Sequence, residues 1–345
     1  MTSPITSDRS RFEPGTLGAA TLRSRRPGSK SLALGRAQRA VGRQAWLFVV
    51  VALIVAGGGI AYDLAGGVRP LTSALFWAPI GAGAGLLVAL LRELNRNTVT
   101  VLSNLGKHRG YTVLGAAPEL TPQALRELAP DKRSPLGCVT FQPASPFSTA
   151  FRDLQGAMRE DRLVAFIGSL PGEGATTTAL CAAVSAAQQG RRVIVVDCDT
   201  RRRSLTKELG SNPDRGVLEC CDEPQNWRDY IEEEPETGLH LMPAARMINP
   251  WRTLVGAQGL PVLLTLLGEN YDLVVLDCPP ALRSGEGVLL ASQAEKCIAV
   301  TAWDQTPITA IRQTVRTLQQ RAAVKTAVFV NRVLPGYRFG RLRPD

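Results

Sequence analysis

Between Leu163 and Thr178 an apolar run, Leu163-Val164-Ala165-Phe166-Ile167, breaks into Gly168-Ser169-Leu170-Pro171-Gly172-Glu173-Gly174 and then into Ala175-Thr176-Thr177-Thr178. A buried strand, a glycine turn and a helix start in that order are the layout of a phosphate-binding loop, in which backbone N–H groups and the helix N-terminus face anionic oxygens. The lysine position of such a loop is Ala175 here. The backbone of Gly172, Glu173, Gly174, Ala175, Thr176 and Thr177 still supplies phosphate contacts, but the cation that reaches the outer phosphates is missing. That loss bears harder on chemistry than on folding.

Downstream, apolar runs rich in Val, Ile and Leu alternate with helical patterns. Arg192–Asp197, Leu239–Met242, Leu273–Asp277, Ile298–Ala302 and Ala327–Asn331 read as strands, with helices over Thr176–Gln189, Leu260–Leu267 and Pro307–Arg321 between them. The alternation predicts an α/β fold, a parallel-sheet P-loop NTPase domain with helices on both faces, and its ligands belong at the carboxyl ends of the strands. Two acidic motifs fall there. Val193-Ile194-Val195-Val196-Asp197-Cys198-Asp199-Thr200-Arg201 delivers two carboxylates, and Leu273-Val274-Val275-Leu276-Asp277-Cys278-Pro279-Pro280 delivers a third. A hard divalent cation takes oxygen ligands, so the Thr176 hydroxyl with Asp197, Asp199 and Asp277 forms the expected Mg²⁺ set, and Asp197 and Asp199 are the catalytic candidates. A single strand-end Asp is more often a cap or a turn residue. Three motifs in this order make coincidence improbable.

Ahead of this domain, the segments 44–62 and 71–91 are uncharged, and each is long enough to cross the roughly 30 Å hydrocarbon layer as a helix. The reading is a two-helix transmembrane hairpin with a short external loop at 63–70; a signal peptide is disfavoured because the first run starts too late. Residues 1–43 carry nine Arg or Lys against two acids, +7 of the chain's net +10, which keeps both termini cytoplasmic and favours anionic lipid over nucleic acid. Gly81 and Gly85 give the second segment a close-packing face for the first segment or another subunit. Residues 92–146, punctuated by six prolines, read as a juxtamembrane linker, 147–334 as the P-loop domain and 335–345 as a basic tail. All seven cysteines follow the apolar segments without a CxxC pair, which fits a reducing compartment, and two histidines make a histidine-based metal centre improbable.

The three motifs together resemble the bacterial tyrosine kinases, or BY-kinases, the cytoplasmic partners of polysaccharide co-polymerases within the ParA/MinD-like class of P-loop ATPases. Ser169, Pro171, Gly172, Glu173, Gly174 and Thr176 match a common form of the family's loop, S-x-P-G-E-G-K-[ST]; Asp197 to Arg202 resembles its second Walker motif and Leu276 to Pro280 its Walker B. The resemblance implies ATP or ADP with Mg²⁺, Arg201 as a nucleotide contact, Asn331 in Val330-Asn331-Arg332-Val333 as an adenine-side contact, and a role in exopolysaccharide or capsule export at the bacterial inner membrane. It also implies a co-polymerase or related kinase subunit as partner, in a homo- or hetero-oligomer.

The chain departs from the family at four places. Ala175 replaces the lysine, a few residues stand where a large extracytoplasmic domain is usual, Thr149–Gln155 keeps only Arg152 of the E-x-x-R-x-x-R subunit-contact motif, and Tyr337 is the tail's one tyrosine. These departures favour a membrane-anchored pseudokinase acting as scaffold or regulator. The alternatives are an active ATPase or tyrosine kinase with a relocated cation from Arg201, Arg202, Arg203 or Lys207, and a ParA/MinD-like positioning protein.

Overall fold

The computed structural model describes residues 49–67, 69–94, 98, 99, 111–246, 249, 251–322 and 324–334. The tails expected at 1–43 and 335–345, with Tyr337, lie outside them, as do 100–110 of the juxtamembrane segment. The chain divides into two units between Asn95 and Arg96.

In the first unit, helices Val49–Ala65 and Pro70–Leu94 run antiparallel around a turn at Gly66 and Gly67. Gly81 and Gly85 are buried, and a Cβ on Gly81 would meet the Ala52 carbonyl oxygen at 2.5 Å, so the small-residue face packs the two helices on each other. Near the turn, Ser73 Oγ and Trp77 Nε1 each donate to Asp63 Oδ2 at 2.9 Å. Leu71–Val88 is the one stretch among the described residues long and apolar enough to cross a membrane; Val49–Ala65 is shorter, and the expected first span begins before the described residues do.

The second unit is built on one eight-stranded sheet in the order β1-β8-β7-β2-β6-β3-β5-β4. The strands are β1 (Thr112–Pro118), β2 (Leu163–Gly168), β3 (Val193–Asp197), β4 (Glu232–Glu234), β5 (Leu239–Met242), β6 (Leu273–Cys278), β7 (Lys296–Ala302) and β8 (Lys325–Val333). Every pairing is parallel except β4 on β5. The central strands are covered on both faces, which is why β2, β3 and β6 are continuous apolar runs rather than alternating ones. On one face Phe147, Phe151 and Leu154 of helix Pro146–Ala157 join Leu180 and Val184 of helix Ala175–Ala187, with the Phe151 ring 5.7 Å from that of Phe329. On the other, Leu263 and Leu267 of helix Leu260–Asn270 and Ile311 and Leu318 of helix Ile308–Ala322 close the core.

The segment read as a linker up to residue 146 is instead part of the domain from Thr112 onward. β1 pairs with β8, and three of the prolines begin helices: Pro122, Pro135 and Pro146 each take the first helical turn behind Thr121, Ser134 and Ser145, whose hydroxyls accept from Ala124 N, Gly137 N and Ser148 N. Proline lacks only an N–H that the first turn leaves unpaired anyway, so the same residue that punctuates a linker also starts a helix. Arg152 turns back on its own helix start, donating to the Pro143 carbonyl and to Thr149 Oγ1. All seven cysteines are buried free thiols.

Candidate functional site

The loop after β2 turns at Gly172 and Gly174, with φ of 86° and 88°. A side chain is strained in that region, and a Cβ on Gly174 would stand 2.2 Å from Asn331 Nδ2, so only glycine closes this turn. The helix that follows begins at Ala175 and presents the unpaired N–H groups of its first turn to whatever lies above the loop. Among the described residues no hydrogen-bond partner is assigned to the N–H groups of Gly172, Glu173 and Gly174.

Glu173 is the loop's internal anchor. Its side chain is buried, Oε2 accepts from Leu170 N at 3.0 Å and Oε1 accepts from Thr306 Oγ1 at 2.5 Å, while its carbonyl takes a bond from Asn331 Nδ2 at 3.2 Å. Burial raises the proton affinity of its carboxyl, and the Thr306 and backbone donors oppose that rise. Thr306 is itself fixed by Ala302 N and by Val99, whose N–H donates to the Thr306 carbonyl at 2.9 Å. Thr306→Val keeps the shape and removes the donor to a buried carboxyl. The variant should lose about 1 to 3 kcal/mol, roughly 2 to 10 °C in Tm for a domain of this size, with Thr306→Ser close to the parent in the same thermal unfolding experiment.

The three strand-end carboxylates are brought together, but they are not equivalent. Asp197 and Asp277 are register partners on adjacent parallel strands, and both are almost wholly buried. Asp197 is committed: Oδ1 accepts from Asp199 N at 3.2 Å, and Oδ2 accepts from Thr206 N at 2.9 Å and from Thr206 Oγ1 at 2.6 Å. Burial pushes its carboxyl up to about 6, against the Thr206 bonds and with help from the Asp199 charge. Asp199 is also raised by burial, and the Arg202 N–H with the charges of Arg202 and Arg283 pulls it back. Asp277 has no hydrogen bond of normal geometry on either oxygen. Burial raises it well above the usual carboxylate range, the Asp197 charge adds to that, and the Thr176 hydroxyl stands close enough to lower it in part.

Two buried oxygens left open beside a threonine hydroxyl and an anion-facing loop are the donor set of a hard divalent cation held together with phosphate. The residues present therefore fit Mg²⁺, with Asp277 and Thr176 offering oxygens, while Asp197 shapes the loop and the short helix Ser204–Glu208 that it caps. Among the described residues no group of three or more His, Cys, Asp or Glu is placed to hold a metal ion, so Asp197, Asp199 and Asp277 do not form a metal site by themselves. Thr177 donates to Glu208 at 3.2 Å, and Arg201 Nε lies 3.6 Å from Glu286. Arg203 is buried and bound to the Ala244 carbonyl and Asn212, which removes it from the set of replacement cations; Lys207 is exposed. Asn331 points its amide at the loop backbone. Thr206, Thr306 and Arg283 escaped the sequence reading: Thr306 acts across 133 positions, which no local pattern encodes, whereas Thr206, nine residues after Asp197, and a cation three residues after Pro280 were visible.

The sheet order and the glycine loop after β2 have the layout of the P-loop NTPase fold, and the AAA domain model matches residues 161–328. Within that class the chain resembles the bacterial tyrosine kinases. It is 24% identical over 282 residues to EpsB of Ralstonia nicotianae, named as a tyrosine-protein kinase, covering 79% of this chain and 37% of that relative. The succinoglycan biosynthesis transport protein ExoP of Rhizobium meliloti is 24% identical over 307 residues, 81% of this chain and 39% of its own. The chain thus spans well under half the length of these curated relatives. The kinase domain of the Escherichia coli tyrosine kinase ETK superposes with a TM-score of 0.60 at 20% identity, over 71% of this chain and 97% of that one, which fixes the fold.

Proposed function

We propose that this protein is a membrane-anchored, BY-kinase-like pseudokinase that binds Mg²⁺ with ATP or ADP and serves as a scaffold or regulator in exopolysaccharide or capsule synthesis and export. The observation that carries the reading is a P-loop assembled in every respect but the lysine: Gly172 and Gly174 turn it, Glu173 locks it, Asp277 waits with two open oxygens, and Ala175 stands where the cation belongs. Losing one charged hydrogen bond costs about 1.5 to 3 kcal/mol, a roughly ten- to hundred-fold weaker complex that still forms. Losing a donor to transition-state charge costs about 10² to 10³ in rate. Binding therefore outlasts catalysis.

When bound, the metal neutralises the phosphate charge. The chain's own part is to orient phosphates on the loop N–H groups and to hold the metal's oxygen ligands on β6 and the first helical turn. Arg201 and Asn331 border this site from the β3 and β8 sides. The names of EpsB and ExoP support the polysaccharide context, and a co-polymerase or related kinase subunit is the partner this reading requires. The helix carrying Leu71–Val88 supports anchoring in the bacterial cytoplasmic membrane, and the reading adds Val49–Ala65 as the second helix of a hairpin with both termini inside.

Titration of Mg-ATP and Mg-ADP into the full chain in detergent micelles, paired with a hydrolysis assay, tests the reading. Saturable binding lost in Asp199→Ala, with turnover at background, is expected. Steady hydrolysis that disappears in Asp277→Ala would establish an active enzyme with a relocated cation instead.

A further inference from the structure

The site as built has a charge problem. Asp197, Asp199 and Asp277 converge at the ends of β3 and β6, Ala175 contributes no charge, and a triphosphate is itself strongly anionic. One divalent ion does not balance a triphosphate together with whichever of these carboxylates is ionised, and like charges repel strongly in a partly desolvated site. Cations must come from elsewhere in the fold.

They are found around a cleft of about 380 Å³ between the end of β3 and the turn after β6, lined by Asp199, Arg201, Arg202, Pro279, Arg283 and Glu286 among others. Arg201 is matched by Glu286. Among the described residues neither Arg202 nor Arg283 has a carboxylate within ion-pair distance. Arg283 also belongs structurally to the phosphate loop: the two residues before it donate backbone bonds to the loop's root, Ala281 N to the Gly168 carbonyl at 2.9 Å and Leu282 N to the Ser169 carbonyl at 3.1 Å. It is exposed, on a turn fixed by those bonds and by its own N–H on the Pro280 carbonyl. Arg202 N donates to Asp199 Oδ1 at 3.1 Å, and Arg283 lines the same cleft as that carboxylate.

We infer that Arg283, with Arg202 across the cleft, supplies the cation missing at Ala175 and holds the outermost phosphate of a bound nucleoside triphosphate. A guanidinium offers planar paired donors that suit phosphate oxygens, and it enters from the β6 turn rather than from the loop itself. This inference rests on the reading that the loop binds nucleotide. It makes that binding selective for the triphosphate, since the diphosphate ends short of the cleft.

Calorimetric titration of Mg-ATP and Mg-ADP into the full chain in detergent micelles tests it with four proteins: the parent, Arg283→Ala, Lys325→Ala, and Arg283→Ala combined with Ala175→Lys. Arg283→Ala is expected to weaken Mg-ATP by about ten- to hundred-fold and Mg-ADP by less than about three-fold. Lys325→Ala, which removes one exposed charge at the amino end of β8, the opposite end of the sheet from the loop, should leave both constants alone, and the double variant should regain Mg-ATP affinity. Because Arg283 is exposed, circular dichroism of its variant should overlay that of the parent. Parent-like Mg-ATP affinity in Arg283→Ala, or an equal loss for both nucleotides, overturns the inference while leaving nucleotide binding intact. A parent that binds neither nucleotide removes the functional reading, and the inference with it.

Discussion

Asp277→Asn should make the nucleotide-free protein more stable at pH 8 by about 1 to 3 kcal/mol and at the same time abolish Mg²⁺-dependent nucleotide binding. The carboxylate is almost fully buried, has no well-formed hydrogen bond on either oxygen, and lies beside Asp197 in the sheet register. Such a group is what the proposed ligand site calls for, since an uncompensated charge there works against folding. The sign of the pH dependence follows from the direction of its shift. Asp277 holds its proton more tightly folded than unfolded, so its stabilising contribution is present at low pH and is lost as pH rises through the folded value. Asp197, pushed from 3.8 to about 6, behaves the same way and withdraws about 3 kcal/mol between roughly pH 4 and above pH 6. The advantage of asparagine should therefore be smaller at pH 5.5 than at pH 8, because a carboxyl that binds its proton more tightly in the folded state stabilises the parent more as pH falls. Thermal unfolding at the two pH values, with and without Mg-ATP, measures both effects. A variant less stable than the parent at pH 8, or one that keeps Mg-dependent stabilisation, would sink this account of Asp277.

How much of this was legible in the sequence depends on where each signal resides. The central strands β2, β3 and β6 were readable because a parallel strand covered on both faces has to be a continuous apolar run. The glycines at 172 and 174 were readable because the turn needs positive φ. Two strands were not. β4 is Glu232-Glu233-Glu234, an edge strand held by backbone bonds to β5 with no apolar face to announce it. β1 lies among prolines that read as linker until the Ser and Thr caps ahead of them are recognised as helix starts. The site divides along the same line. Asp197, Asp199, Asp277 and Thr176 were found as a set, but the distinction between them was not, since Thr206 occupies Asp197 and no residue occupies Asp277 in the same way. The partnership of Glu173 with Thr306 spans 133 positions and exists only once β7 lies beside β2. Sequence patterns encode which groups reach the strand ends; hydrogen bonds across the sheet decide which of them remain open.

A lysine placed at position 175 is the sharper test of what its absence does to the loop. Ala175→Lys is expected to tighten Mg-ATP by about ten- to hundred-fold, from one charged hydrogen bond to phosphate of about 1.5 to 3 kcal/mol. Without nucleotide the same change should cost a little stability, because position 175 opens the helix Ala175–Ala187 and a positive charge at a helix N-terminus opposes its dipole by about 0.3 to 1 kcal/mol. The opposite signs are diagnostic: a structural improvement would raise Tm with or without ligand, whereas a repaired phosphate site raises it only with ligand. Ala175 is partly buried, and its Cβ lies 3.8 Å from where a Cβ on Gly168 would stand, so the new side chain has to leave along the loop rather than into the sheet. Hydrolysis separates the remaining possibilities. If Ala175→Lys restores turnover together with affinity, the rest of the catalytic apparatus is intact and the lysine alone set the rate. If affinity rises and turnover stays at background, Asp197 locked on Thr206 and Arg152 folded back on its own helix are further steps away from kinase chemistry, and the nucleotide acts on the shape of the loop alone. Unchanged affinity in a folded variant would mean that the phosphate is held from the β6 side, with no place left for a cation on the loop.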